Sequence, residues 1–179
     1  DPNKAAEVEE EKTIERNISL VSCDNAGALL ERVKGTDVYF YPLIIDGSVT
    51  DLYFAFDNEI VVISPETQGY KDFICEFFED ESAKKYSFNT KELHRLACKL
   101  GVELKGVKGD LMLSAYLLRP SDSNYDIAHL CLEYGVKIPE FLNSLGTKDE
   151  NVELASVIKP LFEKTDILID DAQERQLLE

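Results

Sequence analysis

Few side chains in this 179-residue sequence offer soft or borderline donors. They include the cysteines Cys23, Cys75, Cys98 and Cys131 and the histidines His94 and His129. No two cysteines form a C-x-x-C pair, so their spacing encodes neither a zinc site nor a redox dithiol. They read instead as reduced, buried thiols of a cytoplasmic protein. His94 and Cys98 stand one helical turn apart and could share a cation, but no third ligand accompanies them. Oxygen donors abound: 35 Asp and Glu against 19 Lys and Arg give a formal net charge of −16. Such a chain alone is a poor partner for a phosphate backbone, which needs clustered cations. Glu76, Glu79, Asp80 and Glu81 read as a solvated helix end. Asp110, directly before an apolar segment, reads as a helix N-cap. Tyr39, Phe40 and Tyr41 could stack on bases but sit in an apolar run that fits a buried strand better.

These side chains need a scaffold, and the hydrophobic pattern supplies one. Hydrophobic residues make up 44% of the chain, enough for a core. No apolar run approaches the ~20 residues of a membrane span, and the polar, acidic N-terminus shows no signal peptide. Residues 1–17 read as an acidic linker or tail, and 18–179 as one folded domain. A short apolar run, Ile18 to Val21, is followed by a helix opened by Asn25 and closed by Gly35. Val38 to Ile45 predicts a strand with a bulge at Pro42. Asp46-Gly47-Ser48 and Asp57-Asn58 then turn the chain twice, through strands at Leu52 to Phe56 and Ile60 to Ile63, which gives an antiparallel meander. The period next becomes helical, with Tyr70, Phe73, Ile74, Phe77 and Phe78 on one face. Lys85 to Phe88 and Val102 to Val107 predict two more strands, with a helix between them capped by Asn89 or Thr90. An apolar helix from Leu111 to Leu118, buried on most sides, stops at Pro120. Short helices over Ile127 to Tyr134 and Pro139 to Leu145 follow, and a long amphipathic helix carries Leu154, Val157, Ile158, Leu161, Thr165 and Leu168. The expected class is α/β: a mixed five-stranded sheet flanked by helices.

The text from Lys84 to Pro120 is the most distinctive. Its densest part is Gly101-Val102-Glu103-Leu104-Lys105-Gly106, then Asp110-Leu111-Met112-Leu113-Ser114-Ala115-Tyr116-Leu117-Leu118 and Pro120. This stretch resembles the 3′–5′ exonuclease domain of bacterial DNA polymerase I, of the family A polymerases, and the resemblance extends over residues 18–179. It implies an RNase H-like (DnaQ-like exonuclease) fold and a chemistry in which two divalent ions clamp the attacking water and the leaving oxygen. Four carboxylates carry such a site. The resemblance places Tyr41 and Leu43 where an Asp-x-Glu would stand, Leu93 at the third position and Ser156 (or Ala155 beside it) at the fourth. Val152 takes the place of the water-orienting tyrosine.

No acidic residue lies between Asp37 and Asp46, so a shift of register does not restore the pair. Hard cations need carboxylates to offset dehydration. The resemblance therefore implies a degenerate, proofreading-deficient domain with no catalytic residue, no metal and no cofactor of its own. Its expected role is structural, in replication and repair, with the polymerase domain of the same polypeptide as partner. DNA would be met only through the full-length protein, a DNA-directed DNA polymerase; no membrane is involved, and the isolated domain would be a cytoplasmic monomer. Two alternatives remain. One is a divergent two-metal exonuclease with relocated ligands such as Asp46, Asp51, Asp57 and Asp110. The other is a stand-alone acidic module that binds a basic protein.

Overall fold

The computed structural model describes residues 17–177, so the tail reading of residues 1–16 lies outside the described residues. Along the chain the elements are β1 (Ser19–Ser22), α1 (Ala26–Val33), β2 (Asp37–Ile45), β3 (Ser48–Phe56), β4 (Glu59–Ile63), α2 (Tyr70–Glu79), β5 (Lys84–Ser87), α3 (Thr90–Leu100), β6 (Val107–Asp110), α4 (Leu111–Leu118), α5 (Ile127–Tyr134) and α6 (Glu150–Leu177). The strands form a single sheet in the order β1-β4-β3-β2-β5-β6. The meander β2-β3-β4 is antiparallel, while β1, β5 and β6 each join parallel to a neighbour.

The sheet has six strands, one more than the sequence pattern suggested. The extra strand is β1, whose partner β4 lies forty residues downstream, beyond the reach of any local signal. The last strand is also displaced, from the expected Val102 to Val107 onto Val107–Asp110. Gly106, at φ 70°, bends the segment before the strand begins. A Cβ there would lie 2.9 Å from the Ala83 carbonyl oxygen and 3.0 Å from that of Glu81, so only glycine fits this crossing. The expected helix over Pro139 to Leu145 is absent. Asn143 Oδ1 accepts from the backbone N–H groups of Leu145 and Thr147, and this side-chain turn replaces helical bonding. Other expectations hold. Pro42 sits at a register shift between β2 and β3, and both hairpin turns place an aspartate, Asp46 and Asp57, at positive φ.

Strand alternation sorts the interior into two layers. Val38 and Phe40 of β2, Leu52 and Phe54 of β3, and Val61 and Ile63 of β4 face α1, α2 and α3. There they meet Phe73, Ile74, Phe77 and Phe78 of α2, with Phe54 set edge-on to both Phe73 and Phe77. The alternate residues of the same strands face α6, joined towards β5 and β6 by α4 and α5. α4 is less covered than its composition suggested: Leu111 and Ala115 are buried, whereas Leu113, Tyr116 and Leu117 are exposed. Of the cysteines only Cys131 is buried, and Cys98 is exposed.

Lys85 is 1% exposed, an uncommon place for an ammonium group. Its Nζ donates to the carbonyls of Asp80 (2.8 Å) and Ala83 (2.9 Å) and lies 4.7 Å from the centre of the Phe77 ring. Burial pushes its pKa down from 10.5 to about 8, against the opposing pull of the Asp80 carboxylate. In that interval the unfolded chain binds the proton that the native chain has released, so stability rises with pH. Burial pushes the Tyr70 hydroxyl up to about 12, so above its ordinary 10.0 stability falls as the unfolded tyrosine ionises. Burial also pushes the Cys131 thiol from 9.0 up to about 11, so above pH 9 the unfolded thiol ionises first and offsets the Lys85 gain. Chemical denaturation should therefore show stability climbing by about 1 kcal/mol from pH 8 to 9, levelling towards pH 10 and falling beyond. Lys85→Met should flatten the climb; an unchanged pH profile in that variant would refute the assignment.

Candidate functional site

The α6-facing side of the sheet is lined by aromatic rings. β2 contributes Tyr39 and Tyr41, β3 contributes Tyr53 and β5 contributes Tyr86. Tyr39 and Tyr86 stack at 4.8 Å between ring centres, and Phe162 of α6 closes on them at 6.1 and 5.3 Å. Gly109 of β6 makes room for that closure, because a Cβ there would fall 2.5 Å from the Phe162 ring. Further along β2, Tyr41 and Leu43 pack against the cluster that holds Tyr53, Val152 and Ala155, with Tyr41 and Tyr53 centred 6.3 Å apart. Burial raises the hydroxyl pKa of Tyr39, Tyr41 and Tyr53, so these groups stay neutral at physiological pH.

The sequence singled out four positions, and the structure does not gather them all. Tyr41 and Leu43 stand side by side on this face. On α6 the residue that meets them is Ala155, fully buried, rather than Ser156. Ser156 Oγ instead donates to the Glu153 carbonyl at 2.6 Å, and the residue lines an outer groove with Val136, Ile138 and Pro160. Leu93 packs into the core on the opposite face of the sheet, with Phe40 and Phe54. A phenol, an isobutyl group and a methyl group make a poor donor set for Mg²⁺ or Mn²⁺, which demand hard oxygens. The residues present do not fit a two-metal centre at this place.

The relocated-ligand alternative gains nothing from the geometry. Asp46 and Asp57 sit in the two hairpin turns and Asp51 on β3. No three of Asp46, Asp51, Asp57 and Asp110 come within ligand reach of one another among the described residues. Asp110 is committed elsewhere. It caps α4 by accepting from Met112 N (2.9 Å). The same carboxylate accepts from Asn89 N (3.0 Å), Thr90 N (2.8 Å) and Thr90 Oγ1 (2.8 Å), which caps α3 as well. Asn89 itself, expected as the α3 cap, adopts a left-handed conformation at φ 57° and makes no side-chain cap bond.

His94 and Cys98, the spaced pair, both lie exposed on α3. The histidine that does find company is His129. Its Nε2 lies 3.1 Å from Asp122 Oδ2 and 3.9 Å from Glu133 Oε2, and this hydrogen bond holds the Asp122 carboxyl below its ordinary pKa. Sequence reasoning passed over the trio. The His129–Glu133 spacing of one helical turn was visible, but Asp122 enters from an irregular loop that carries no periodic signal.

Comparisons with known proteins agree on the architecture. A family model described as "DNA polymerase I, ribonuclease H-like domain" matches residues 46–167. DNA polymerase I of Bacillus subtilis (strain 168) is 32% identical over 76 residues, which is 42% of this chain and 8% of that protein. The chain thus spans a small fraction of the curated relative it matches. Among solved structures, the POL domain of Pol1 from M. smegmatis, in complex with DNA primer-template and dNTP, aligns with a TM-score of 0.65 at 21% identity, covering 89% of this chain and 29% of that one. The EXO domain of Aedes aegypti Nibbler aligns at 0.56 and 16% identity, covering 89% of this chain and 91% of its own. At these identities the structural likeness speaks for the fold. Among the described residues, no helix is long and apolar enough to cross a membrane.

Proposed function

We propose a non-hydrolytic, structural role for this chain, which belongs to the family of DNA polymerase I ribonuclease H-like domains. In this reading it is the exonuclease-like domain of a bacterial DNA polymerase I that has kept the fold and lost the proofreading site. It serves replication and repair through the polymerase domain of the same polypeptide, as a monomeric unit that meets DNA only in the full-length protein. The supporting observation is the set of side chains facing α6 where the resemblance locates the first carboxylate pair. Tyr41 and Leu43 lie against Val152 and Ala155, a hydrophobic contact in place of an anionic one. Two divalent ions placed close together need several carboxylates to balance their charge and replace their water, and this layer offers phenols and hydrocarbon.

The last turns of α6 support the partner in this reading. Among the described residues, most side chains from Asp166 to Leu177 are exposed, Ile167 and Leu168 included. Apolar residues on a bare helix are commonly covered by a neighbouring body.

The test is direct. Incubated with end-labelled single-stranded DNA and either Mg²⁺ or Mn²⁺, the chain should shorten the oligonucleotide no faster than buffer does. Metal-dependent release of nucleotides from the 3′ end, abolished by chelation and co-eluting with the chain through successive chromatography steps, would overturn the reading.

A further inference from the structure

We propose that Asp122, His129 and Glu133 form a surface site for one divalent transition-metal ion of zinc type, separate from the α6-facing layer of the sheet. His129 and Glu133 project from successive turns of α5, and Asp122 reaches them from the loop that follows α4. One ligand atom from each lies within 4.8 Å of the other two. A tetrahedral ion with bonds of roughly 2.0–2.2 Å holds its ligand atoms about 3.3–3.6 Å apart. The separations of 3.1 Å (His129 to Asp122) and 3.9 Å (His129 to Glu133) bracket that spacing, so small side-chain adjustments suffice.

The outer contacts give the trio the character of a built site. Each carboxylate has one oxygen engaged by the protein and the other turned towards His129. Asp122 Oδ1 accepts from Ser123 N (2.8 Å), which leaves Oδ2 facing the imidazole. Glu133 Oε1 is paired with the Arg119 guanidinium, which leaves Oε2 free to coordinate. Such second contacts orient ligands and fix which atom is presented. The α5 helix is itself anchored, because the Asp126 side chain accepts from His129 N at 2.7 Å and caps the first turn. The three side chains are partly covered, and they border an open cup of about 520 Å³ shared with Arg119, Pro120 and Ser121. That opening leaves the fourth position to water or to an outside ligand.

The donor set selects the ion. One imidazole and two carboxylates suit Zn²⁺, Co²⁺ or Ni²⁺ better than Mg²⁺ or Ca²⁺, which take oxygen almost exclusively. The chain's formal charge of −16 adds a general attraction for cations. That attraction does not discriminate among acidic surfaces, so the test must depend on these three residues.

Zn²⁺ titrated calorimetrically into the full chain should show one specific equivalent above the weak background. His129→Gln and Asp122→Asn should each weaken that equivalent by about tenfold or more. Glu76→Gln, on the remote acidic end of α2, should leave it unchanged. Co²⁺ should give a visible absorption band with the wild type that His129→Gln loses. Zn²⁺ should raise the unfolding temperature of the wild type and not that of the His129 variant. If the trio is only a hydrogen-bonded ion pair, His129→Gln will alter stability and leave the zinc titration as it was, and the proposal fails. It fails equally if Co²⁺ gives no band with the wild type, a result that does not depend on any variant folding.

Discussion

Asp110→Ala should cost about 3–4 kcal/mol of stability. One carboxylate serves four donors on two helices: Met112 N at the start of α4, and Asn89 N, Thr90 N and Thr90 Oγ1 at the start of α3. Alanine strands three backbone N–H groups in a partly buried corner. A single N-cap is worth about 1 kcal/mol, and each unsatisfied buried donor adds roughly 1–3 kcal/mol, with part of that recovered by water. The melting temperature should drop by roughly 10 °C for a domain of this size. Asp110→Asn provides the internal control. Its carbonyl oxygen can keep Asn89 N and Met112 N, while its amide nitrogen faces Thr90 N, so about half the loss should return. Urea and thermal denaturation of the three proteins measure these changes. A loss below about 1 kcal/mol for the alanine variant would mean that the two helix starts are not tied through this residue.

Gly109 and Phe162 should behave as one unit. Gly109→Val should destabilise by about 3 kcal/mol, and Phe162→Ala by a comparable or larger amount, about 3–5 kcal/mol. The glycine is required by space rather than by backbone angle. A Cβ on it would lie 2.5 Å from Phe162 Cε1, and 3.0 Å from both Phe162 Cζ and Tyr86 Cδ1. Phe162 cannot retreat, because it is wedged on the Tyr39–Tyr86 stack and buried. The two costs should therefore not add. In a Phe162→Leu background, which lacks the ring edge, Gly109→Ala should cost at least about 1 kcal/mol less than it does in the wild type. A double-mutant cycle with no coupling would show that the ring has another way out.

Some of this architecture could be read from the residues because the deciding interactions are local. Asn25 caps α1, accepting from Gly27 N, two residues away. The Asp46-Gly47 and Asp57-Asn58 turns fix the meander through positive-φ positions that aspartate and glycine tolerate. The Asp110 cap of α4 was visible for the same reason, whereas its second duty at α3 spans 20 residues of sequence and was not. Likewise β1 is a strand only because β4 lies alongside it. Leu93 shows the limit of reading positions by resemblance. Its place in the helix follows from the text, but which face of the sheet that helix covers depends on how the β5–α3 connection turns at Asn89. The trio at His129 was hidden because two of its members, on α5, are meaningful only when a loop residue arrives between them.

α6 runs for 28 residues with Pro160 inside it, and its environment changes part of the way along. Up to Thr165 the helix is wedged into the protein by Val152, Ala155, Ile158, Leu161 and Phe162, so its backbone bonds open only if the hydrophobic layer opens too. Beyond that point, over about 18 Å of rod, most of its described side chains are exposed, and local propensity with neighbouring charges such as Asp171 and Arg175 contributes to keeping the spiral wound. One continuous helix therefore joins two regimes. Its first half is held within the hydrophobic layer, and its second half faces mostly outward. A load applied near Leu177 would meet that outward half before it reached the aromatic stack that Phe162 closes.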